Sequence, residues 1–317
     1  MIELLAEHDV PGMSYVMLKS CQVDTIGHAG LASVEDKTMV HSNTVFEAAS
    51  LSKPVFAWLV IALAEEGVID LDQTFAEADF DYPRITDIDR YNKLTPRQVL
   101  IHRTGLPNWV GDSGDPDRSD QLEFVNEPGS SHSYSGEAYL LLQSFIEEKT
   151  GKSLQSIFEQ KLGSIMGNST FSKALPTSAA VSRGYYQPVA ERSEAVASFS
   201  HENAAYSLVT TASDFGRFME LACSGEGLTT DSHKDMLRIQ TSDPYSAGSQ
   251  TSWRLGWQAL MVRGGDSAFH SGDNGNYQAM ALFFLDNGEG SAVFTNAEGG
   301  IAFINAFLRE MKIRERQ

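Results

Sequence analysis

One stretch of sequence decides the fold of this chain: Phe46-Glu47-Ala48-Ala49-Ser50-Leu51-Ser52-Lys53. Pro54 follows it, and residues 55–64 are then apolar without interruption. A proline is tolerated in the first turn of a helix but not in its middle, so the helix begins close to Ser50. A helix that is apolar on all sides is a buried one. The stretch therefore predicts a central buried helix with Ser50 at its N-terminal end.

Ser50 and Lys53 stand three residues apart, so on a helix they share a face. A serine hydroxyl is a weak nucleophile until a base takes its proton, and a lysine amine can be that base when burial lowers its pKa. Ser50 would also meet the free N–H groups at the helix start. Ser52 is the competing serine, but it points away from Lys53. Because S-x-x-K occurs by chance in many proteins, the pair alone does not separate chemistry from packing.

Outside this helix, the pattern predicts strands at both ends of the chain and helices in the middle. Strands are predicted at 13–18, 23–30, 256–262, 278–285 and 291–295, with hairpin turns at Lys19-Ser20 and Asn287-Gly288. Helices are predicted at 2–8, 54–64, from Thr95, at 137–149, at 153–162, at 211–223 with Ser213 as N-cap, and at 300–312, with a surface loop at 109–132. We expect an α+β fold in which 1–67 and 226–317 form a sheet domain and 68–225 a mainly helical one.

Composition narrows the possible partners. The 317 residues carry a net charge of −18, which repels phosphate backbones, so no nucleic acid partner is expected. No stretch reaches the roughly 18 apolar residues of a membrane span. Residues 1–8 lack the basic and apolar regions of a signal peptide. Two alternatives stay open: a cytoplasmic protein, or an exported one whose leader is missing from this sequence. Cys21 and Cys223 are interpreted as separate buried residues, although a bridge between them is also possible.

Two further segments contain residue types suited to acyl transfer. Tyr134-Ser135-Gly136 precedes a predicted helix, and a tyrosine can relay a proton if neighbouring cations lower its pKa. His270-Ser271-Gly272 precedes Asp273, and its small residues would let a strand edge approach a ligand while backbone N–H groups stabilise an oxyanion. Taken singly, each segment is more typical of ordinary packing. His102 is interpreted as a structural histidine that bonds the surrounding loop backbone.

Other enzyme signatures are absent from the sequence. It contains no G-x-S-x-G, no H-E-x-x-H or other metal spacing among its eight histidines, and neither a P-loop nor a dinucleotide-binding G-x-G-x-x-G. The expected partner is therefore a small-molecule substrate, with no metal and no cofactor. The oligomeric state is left open.

Taken in order, the three segments resemble the serine β-lactamase and penicillin-recognising family, and more narrowly its branch of class C β-lactamases, DD-peptidases and related esterases. Segments similar to the family's flanking sequences are Val10-Pro11-Gly12-Met13, 67–72, 94–107, Pro128-Gly129, Leu255-Gly256-Trp257 and 293–296. The resemblance covers nearly the whole chain. Three motifs in this order, with these flanks, are far more specific than any one of them.

The resemblance implies a β-lactamase/transpeptidase-like fold: a five-stranded antiparallel sheet flanked by helices, an inserted all-helical region, and the site in the cleft between them. It implies that Ser50 forms an acyl-enzyme, with Lys53 as base or proton shuttle. Tyr134 would relay protons to the leaving group and to the deacylating water. The oxyanion hole would consist of the backbone N–H groups of Ser50 and Asp273. The remaining site residues would be His270, Ser271, Gly272 and Gly136.

Two departures from the family shape the expected substrate. Gly136 replaces the usual asparagine, which would bind a substrate amide. His270 replaces the lysine of true β-lactamases, and a histidine gives only a partial, pH-dependent charge for a substrate carboxylate. The expected function is hydrolysis of small esters or amides, esterase-like in character. The alternatives are a DD-peptidase or β-lactamase, and a catalytically silent binding protein. If His270 must be neutral to assist Tyr134, activity should rise through roughly pH 6–7.

Overall fold

The computed structural model describes residues 1–112, 119–189, 191–197, 199–241, 252–262 and 265–311. Its strands are β1 (Gly12–Lys19), β2 (Gln22–Ser33), β3 (Thr38–Met39), β4 (Thr44–Glu47), β5 (Ala180–Val181), β6 (Arg183–Tyr185), β7 (Ser193–Ala195), β8 (Val209–Thr210), β9 (Gln258–Val262), β10 (Gly265–Asp273), β11 (Gln278–Phe284) and β12 (Gly290–Thr295). Its helices are α1 (Ile2–Glu7), α2 (Ser52–Glu65), α3 (Ile88–Tyr91), α4 (Pro96–Leu100), α5 (Gly136–Thr150), α6 (Leu154–Leu162), α7 (Ala212–Ser224), α8 (Thr230–Leu237) and α9 (Gly300–Glu310). A 3₁₀ turn, Ala49–Leu51, leads into α2.

The main sheet joins the two ends of the chain, as the sequence predicts. Its strands are antiparallel and lie in the order β3-β2-β1-β12-β11-β10-β9. β1 pairs with β12 from Met13 opposite Thr295 to Leu18 opposite Gly290. The sheet has seven strands in the described residues rather than five. β3 has only two residues, and the Gly, Asp and Ser residues of β10 hide its strand character from the sequence.

Both faces of the sheet are covered, because successive strand residues point to opposite sides. Met13 and Met17 pack with α1 and α9, whereas Val16 and Leu18 join the core that contains α2 and α7. β11 and β12 are accordingly buried along their whole length. The predicted buried helix is confirmed: every α2 residue from Ser52 to Leu63 is buried.

The middle of the chain is less uniform than expected. Its described part contains helices α3 to α7 but also the short strands β5 to β8, so it is not all-helical. α7 lies on the main sheet, where the Glu220 carboxylate accepts a hydrogen bond from the Val23 N–H at 2.5 Å. The N-cap of α7 is Thr211 rather than Ser213, because the Thr211 side chain accepts from the Asp214 N–H. The division into 1–67 plus 226–317 and 68–225 stays a prediction.

A disulfide bond links Cys21 and Cys223, so the interpretation of two separate buried thiols is wrong. Cys21 lies in the β1–β2 turn, and Cys223 lies near the end of α7. The turn itself is formed by Ser20 and Cys21, whose φ angles are 51° and 59°, one residue later than predicted. Two residues with positive φ match the twist of a tight hairpin.

The remaining predictions concern loops and membrane spans. The described parts of 109–132 contain no helix or strand, as expected. Among the described residues, no helix has both the length and the apolar character needed to cross a bilayer.

Candidate active site

Ser50 is held at the junction of β4 and α2. β4 is fixed by antiparallel pairing with β8, and the Ala48 N–H donates to the Leu208 carbonyl at 2.8 Å. Ala49 then adopts a left-handed conformation with φ of 49°, which a non-glycine residue reaches only at a cost in free energy. Ser50 follows in the first turn of the 3₁₀ helix, where backbone N–H groups have no intrahelical acceptor. The Ser50 N–H is therefore placed as an oxyanion donor would be.

Ser52 has a structural role. Its hydroxyl donates to the Ala49 carbonyl at 2.6 Å and accepts from the Leu208 N–H at 2.9 Å. It is fully buried and fastens the start of α2 to the segment before β8. Both hydrogen bonds are made inside the protein, so Ser52 is not available to a substrate.

Lys53 contacts Ser50 directly, as the three-residue spacing predicts. Its Nζ lies 3.2 Å from the Ser50 Oγ and donates to the Ala205 carbonyl at 2.9 Å. The Nζ also lies 4.7 Å from the centre of the Tyr134 ring. Burial lowers the pKa of Lys53 from its usual value to about 7. A substantial fraction of Lys53 is therefore neutral near pH 7, with a lone pair that can take the Ser50 proton.

Tyr134 lines the same cavity as Ser50 and Lys53. Burial raises the pKa of its hydroxyl well above the usual value, and the smaller effect of Ser50 lowers it. The condition named from the sequence, a pKa lowered by neighbouring cations, is not met, because desolvation outweighs the lowering effect of Ser50. Tyr134 stays protonated at neutral pH, which suits it to donate a proton rather than to remove one.

His270 is buried behind the cavity rather than exposed to it. Its Nδ1 lies 2.8 Å from the Ser271 carbonyl oxygen, which can only accept, so the Nδ1 carries the proton. Burial, helped by the charge of Lys53, lowers the pKa of His270 to about 3. His270 is therefore neutral throughout the physiological range and supplies no charge for a carboxylate. No change in the charge of His270 is therefore expected between pH 6 and 7, where the sequence predicts a rise in activity if His270 must be neutral.

The third motif approaches the nucleophile through Gly272. A Cβ atom on Gly272 would lie 2.4 Å from the Ala48 carbonyl oxygen and 3.1 Å from the Ser50 nitrogen. Only glycine allows β10 to come this close. Ser271 and Asp273, the next residues on either side, line the cavity. This approach places the end of β10 beside Ser50.

The structure places Gly136 behind an aromatic ring. A Cβ atom on Gly136 would lie 2.2 Å from the Trp109 ring, and the Gly136 N–H donates to the Asn108 side-chain oxygen at 3.0 Å. Trp109 and Asn108 line the cavity, and Gly136 does not. The missing asparagine side chain is thus replaced by tight packing of Trp109.

The cavity has a volume of about 740 Å³ and brings together Ser50, Lys53, Tyr134, Ser271 and Asp273. Sequence reasoning missed its other lining residues, of which four are aromatic, three are acidic and three are amides: Trp109, Tyr186, Phe199, Tyr206, Glu47, Asp112, Glu194, Asn108, Asn274 and Asn276. A signal in the sequence was offered by Glu47, which lies in the nucleophile segment, and by Asn274 and Asn276, which follow Asp273. The sequence also predicts that the irregular loops 109–132 and 239–252 form walls of the pocket, but 113–118 and 242–251 lie outside the described residues. Within the described part of the chain, no group of His, Cys, Asp and Glu side chains is arranged to hold a metal ion.

The antiparallel sheet with its flanking helices is a β-lactamase/transpeptidase-like fold, and its cavity brings together a serine, a buried lysine and a protonated tyrosine. Comparisons with known proteins agree. The Beta-lactamase family model matches residues 1–308, so the chain belongs to the Beta-lactamase family. Family members include serine hydrolases such as amidases and penicillin-binding proteins.

The individual relatives share 30% sequence identity or less with this chain. Penicillin-binding protein 4* of Bacillus subtilis is 30% identical over 139 residues, covering 39% of this chain and 29% of that protein. An octameric penicillin-binding protein homologue from Pyrococcus abyssi has a TM-score of 0.80 at 20% identity, covering 98% of this chain and 75% of that one. The D-amino acid amidase from Ochrobactrum anthropi has a TM-score of 0.79 at 18% identity, and the match covers 98% of this chain and 97% of that one. The chain spans less than two thirds of the length of the curated relatives it matches first.

Proposed function

We propose that this protein hydrolyses small esters or amides through an acyl-enzyme on Ser50. The observation that carries the proposal is the 3.2 Å contact between the Lys53 Nζ and the Ser50 Oγ, together with burial that brings the pKa of Lys53 to about 7. This combination supplies a nucleophile and a base that is ready at neutral pH. It also argues against a silent binding protein, which has no need of a buried lysine beside a serine that lines a cavity.

In the proposed acylation, the Ser50 Oγ attacks the substrate carbonyl carbon and its proton passes to the Lys53 Nζ. The backbone N–H groups of Ser50 and Asp273 stabilise the oxyanion that forms. When the bond to the leaving group breaks, the Tyr134 hydroxyl gives that group its proton. Lys53 then returns a proton to Tyr134, so the base and the acid are both restored.

In the proposed deacylation, water attacks the acyl carbon on the same face from which the leaving group departed. Its proton passes through Tyr134 and Lys53, and the Ser50 Oγ regains a proton as the acid product leaves. Tyr134 and Lys53 both lie beside Ser50, so the same two side chains can serve both steps. No group outside this chain is needed.

The charge of the cavity supports substrates without a carboxylate. Four acidic side chains line it: Glu47, Asp112, Glu194 and Asp273. His270, which stands in place of the lysine of true β-lactamases, is buried and neutral. Within the described residues, an anionic β-lactam or peptide carboxylate would therefore meet these four carboxylates, with Lys53 as the only cationic side chain in the lining. Neutral esters and amides avoid this cost, which favours them over the β-lactamase and DD-peptidase alternatives.

The decisive experiment uses one chromogenic short-chain ester with the wild type and with Ser50→Ala, followed by mass spectrometry of the acylated protein. We expect turnover and an acyl adduct on Ser50 in the wild type, and neither in the variant. Equal rates for the two proteins would show that Ser50 is not the nucleophile. A labelled penicillin, added in parallel, separates the alternatives: rapid turnover would indicate a β-lactamase, and a stable adduct would indicate a penicillin-binding peptidase.

A further inference from the structure

His102 is a residue that the proposed mechanism does not use. It follows α4, is fully buried, and has a left-handed backbone with φ of 55°. Such a conformation is uncommon for a residue other than glycine and persists only where the surroundings hold it. The contacts of His102 show what this conformation achieves.

Hydrogen bonds from both neighbours of Tyr134 end on His102. The Ser133 N–H donates to the His102 carbonyl at 2.8 Å, and the Ser135 N–H donates to the His102 Nδ1 at 3.1 Å. The His102 ring also lies against the Tyr134 ring, with centres 4.2 Å apart and planes inclined by 30°. The Trp253 ring packs against the His102 ring as well, with ring centres 4.5 Å apart. Tyr134 is thus held on both sides of its backbone and on one face of its ring.

The hydrogen bond to its Nδ1 determines the protonation state of His102. The Nδ1 accepts a hydrogen bond, so the proton of the neutral ring is on the Nε2. Burial, with repulsion from Lys53, His132 and His270, holds the pKa of His102 well below its usual value. The Nδ1 lone pair therefore stays available to the Ser135 N–H, and no positive charge opposes that of Lys53.

We propose that His102 is a positioning residue that sets Tyr134 for protonation of the leaving group. This inference rests on the proposed function. It differs from simple structural support, because it predicts a loss that depends on the leaving group. An amine leaves an acyl centre only when it is protonated, whereas p-nitrophenolate leaves without help. Misplacing Tyr134 should therefore slow amide hydrolysis more than hydrolysis of an activated ester with the same acyl group.

The test compares kcat/KM for a p-nitrophenyl ester and a primary amide of one acyl group, since kcat/KM covers only the steps up to acylation. His102→Leu removes the acceptor, and we expect the amide-to-ester ratio to fall about tenfold. His102→Asn offers an oxygen near the Nδ1 position and tolerates positive φ, so it should restore most of the ratio. Tyr134→Phe should lower the ratio further. The double variant should have the same ratio as Tyr134→Phe alone, because His102 acts through Tyr134.

A control separates positioning from general loss of stability. Phe158→Leu weakens the buried contact with Phe171, whose ring centre is 5.5 Å away, at a distance from the cavity. It should lower Tm and leave the ratio unchanged. Equal losses on both substrates in His102→Leu, or an Asn variant no better than Leu, would overturn the positioning role while leaving the hydrolase assignment intact. No turnover and no labelling of wild-type Ser50 would overturn the hydrolase assignment and the positioning role together.

Discussion

The two sides of the cavity are built in different ways. The nucleophile side consists of Ser50 and Lys53, which a single turn of chain brings together. The rest of the lining is assembled from residues that lie far apart in the sequence, among them Trp109, Tyr206, Asn274 and Glu194. Local spacing therefore fixes the groups that make and break bonds, whereas long-range packing fixes the surface that meets the substrate. Reactivity should depend steeply on the first side, and substrate choice should vary gradually with the second.

The largest expected effect tests the nucleophile side. Lys53→Met keeps the volume of the side chain but removes the base, so kcat/KM should fall by about 10²–10⁴-fold. Tm should be unchanged or higher, because burying a lysine carries a desolvation cost that its two hydrogen bonds offset only in part. Steady-state kinetics and thermal unfolding measure both quantities.

Lys93→Met serves as the matched control, since Lys93 is exposed and pairs with Glu127 away from the cavity. Its kcat/KM should equal that of the wild type. Retention of wild-type activity in Lys53→Met would remove Lys53 from the proposed mechanism.

The next effect tests whether the third motif must touch the nucleophile turn. Gly272→Ala introduces a Cβ atom 2.4 Å from the Ala48 carbonyl oxygen, so β10 has to move away from Ser50. A displacement of this kind should lower kcat/KM by about 10²-fold. Gly167→Ala is the control, because its Cβ would meet only a carbonyl oxygen at 3.6 Å. A Gly272→Ala protein as active as Gly167→Ala would show that the close approach is dispensable.

The pH profile separates two titrating groups. Burial lowers the pKa of Lys53 to about 7, so below that pH the lysine is protonated and cannot accept the Ser50 proton. Plotted against pH, kcat/KM should fall about tenfold for each unit below 7 and level off above it. His270, with a pKa of about 3, contributes nothing between pH 5 and 8. A profile that becomes flat in His270→Asn, with activity retained, would instead assign the titration to the histidine.

The smallest expected effect lies in the part of the lining away from the nucleophile turn in sequence. Glu194→Gln removes one negative charge from the cavity lining, and kcat/KM for an ester with a carboxylate-bearing acyl group should rise about threefold. The neutral ester should change little, and 1 M NaCl should abolish the difference because salt screens exposed charges. Glu310→Gln, at the end of α9, is the control. A tenfold effect on the neutral ester would mean that this part of the lining shares in the chemistry.

The parts of the site that the sequence predicts are those that follow from short spacing or from one residue type. The S-x-x-K spacing predicts the Ser50–Lys53 contact, and the apolar run after Pro54 predicts the buried helix that carries it. The antiparallel sheet shared by both chain ends is confirmed as well. Each of these depends on one helix turn or on alternation along one strand.

The predictions that failed depend on burial, which no single segment encodes. The pKa of Tyr134 rises and His270 stays neutral because residues distant in the sequence enclose both side chains. The strand β10 was missed because its ends are rich in Gly, Asp and Ser, although its pairing with β11 supplies the backbone hydrogen bonds. Apart from Glu47, the aromatic and acidic residues of the lining left no pattern in the sequence, since they come together only in the fold.

The bond between Cys21 and Cys223, 202 residues apart, makes a covalent ring of most of the polypeptide. Ser50, Lys53, His102 and Tyr134 lie inside the ring, and β9 to β12 lie on the tail that leaves it. A protease that cuts the ring once releases no fragment, because both new ends remain tied through the sulfur atoms. A cut in the tail separates His270 and Asp273 from the nucleophile, with only non-covalent packing to hold them. We therefore expect one cut between residues 223 and 270 to impair the site more than one cut inside the ring.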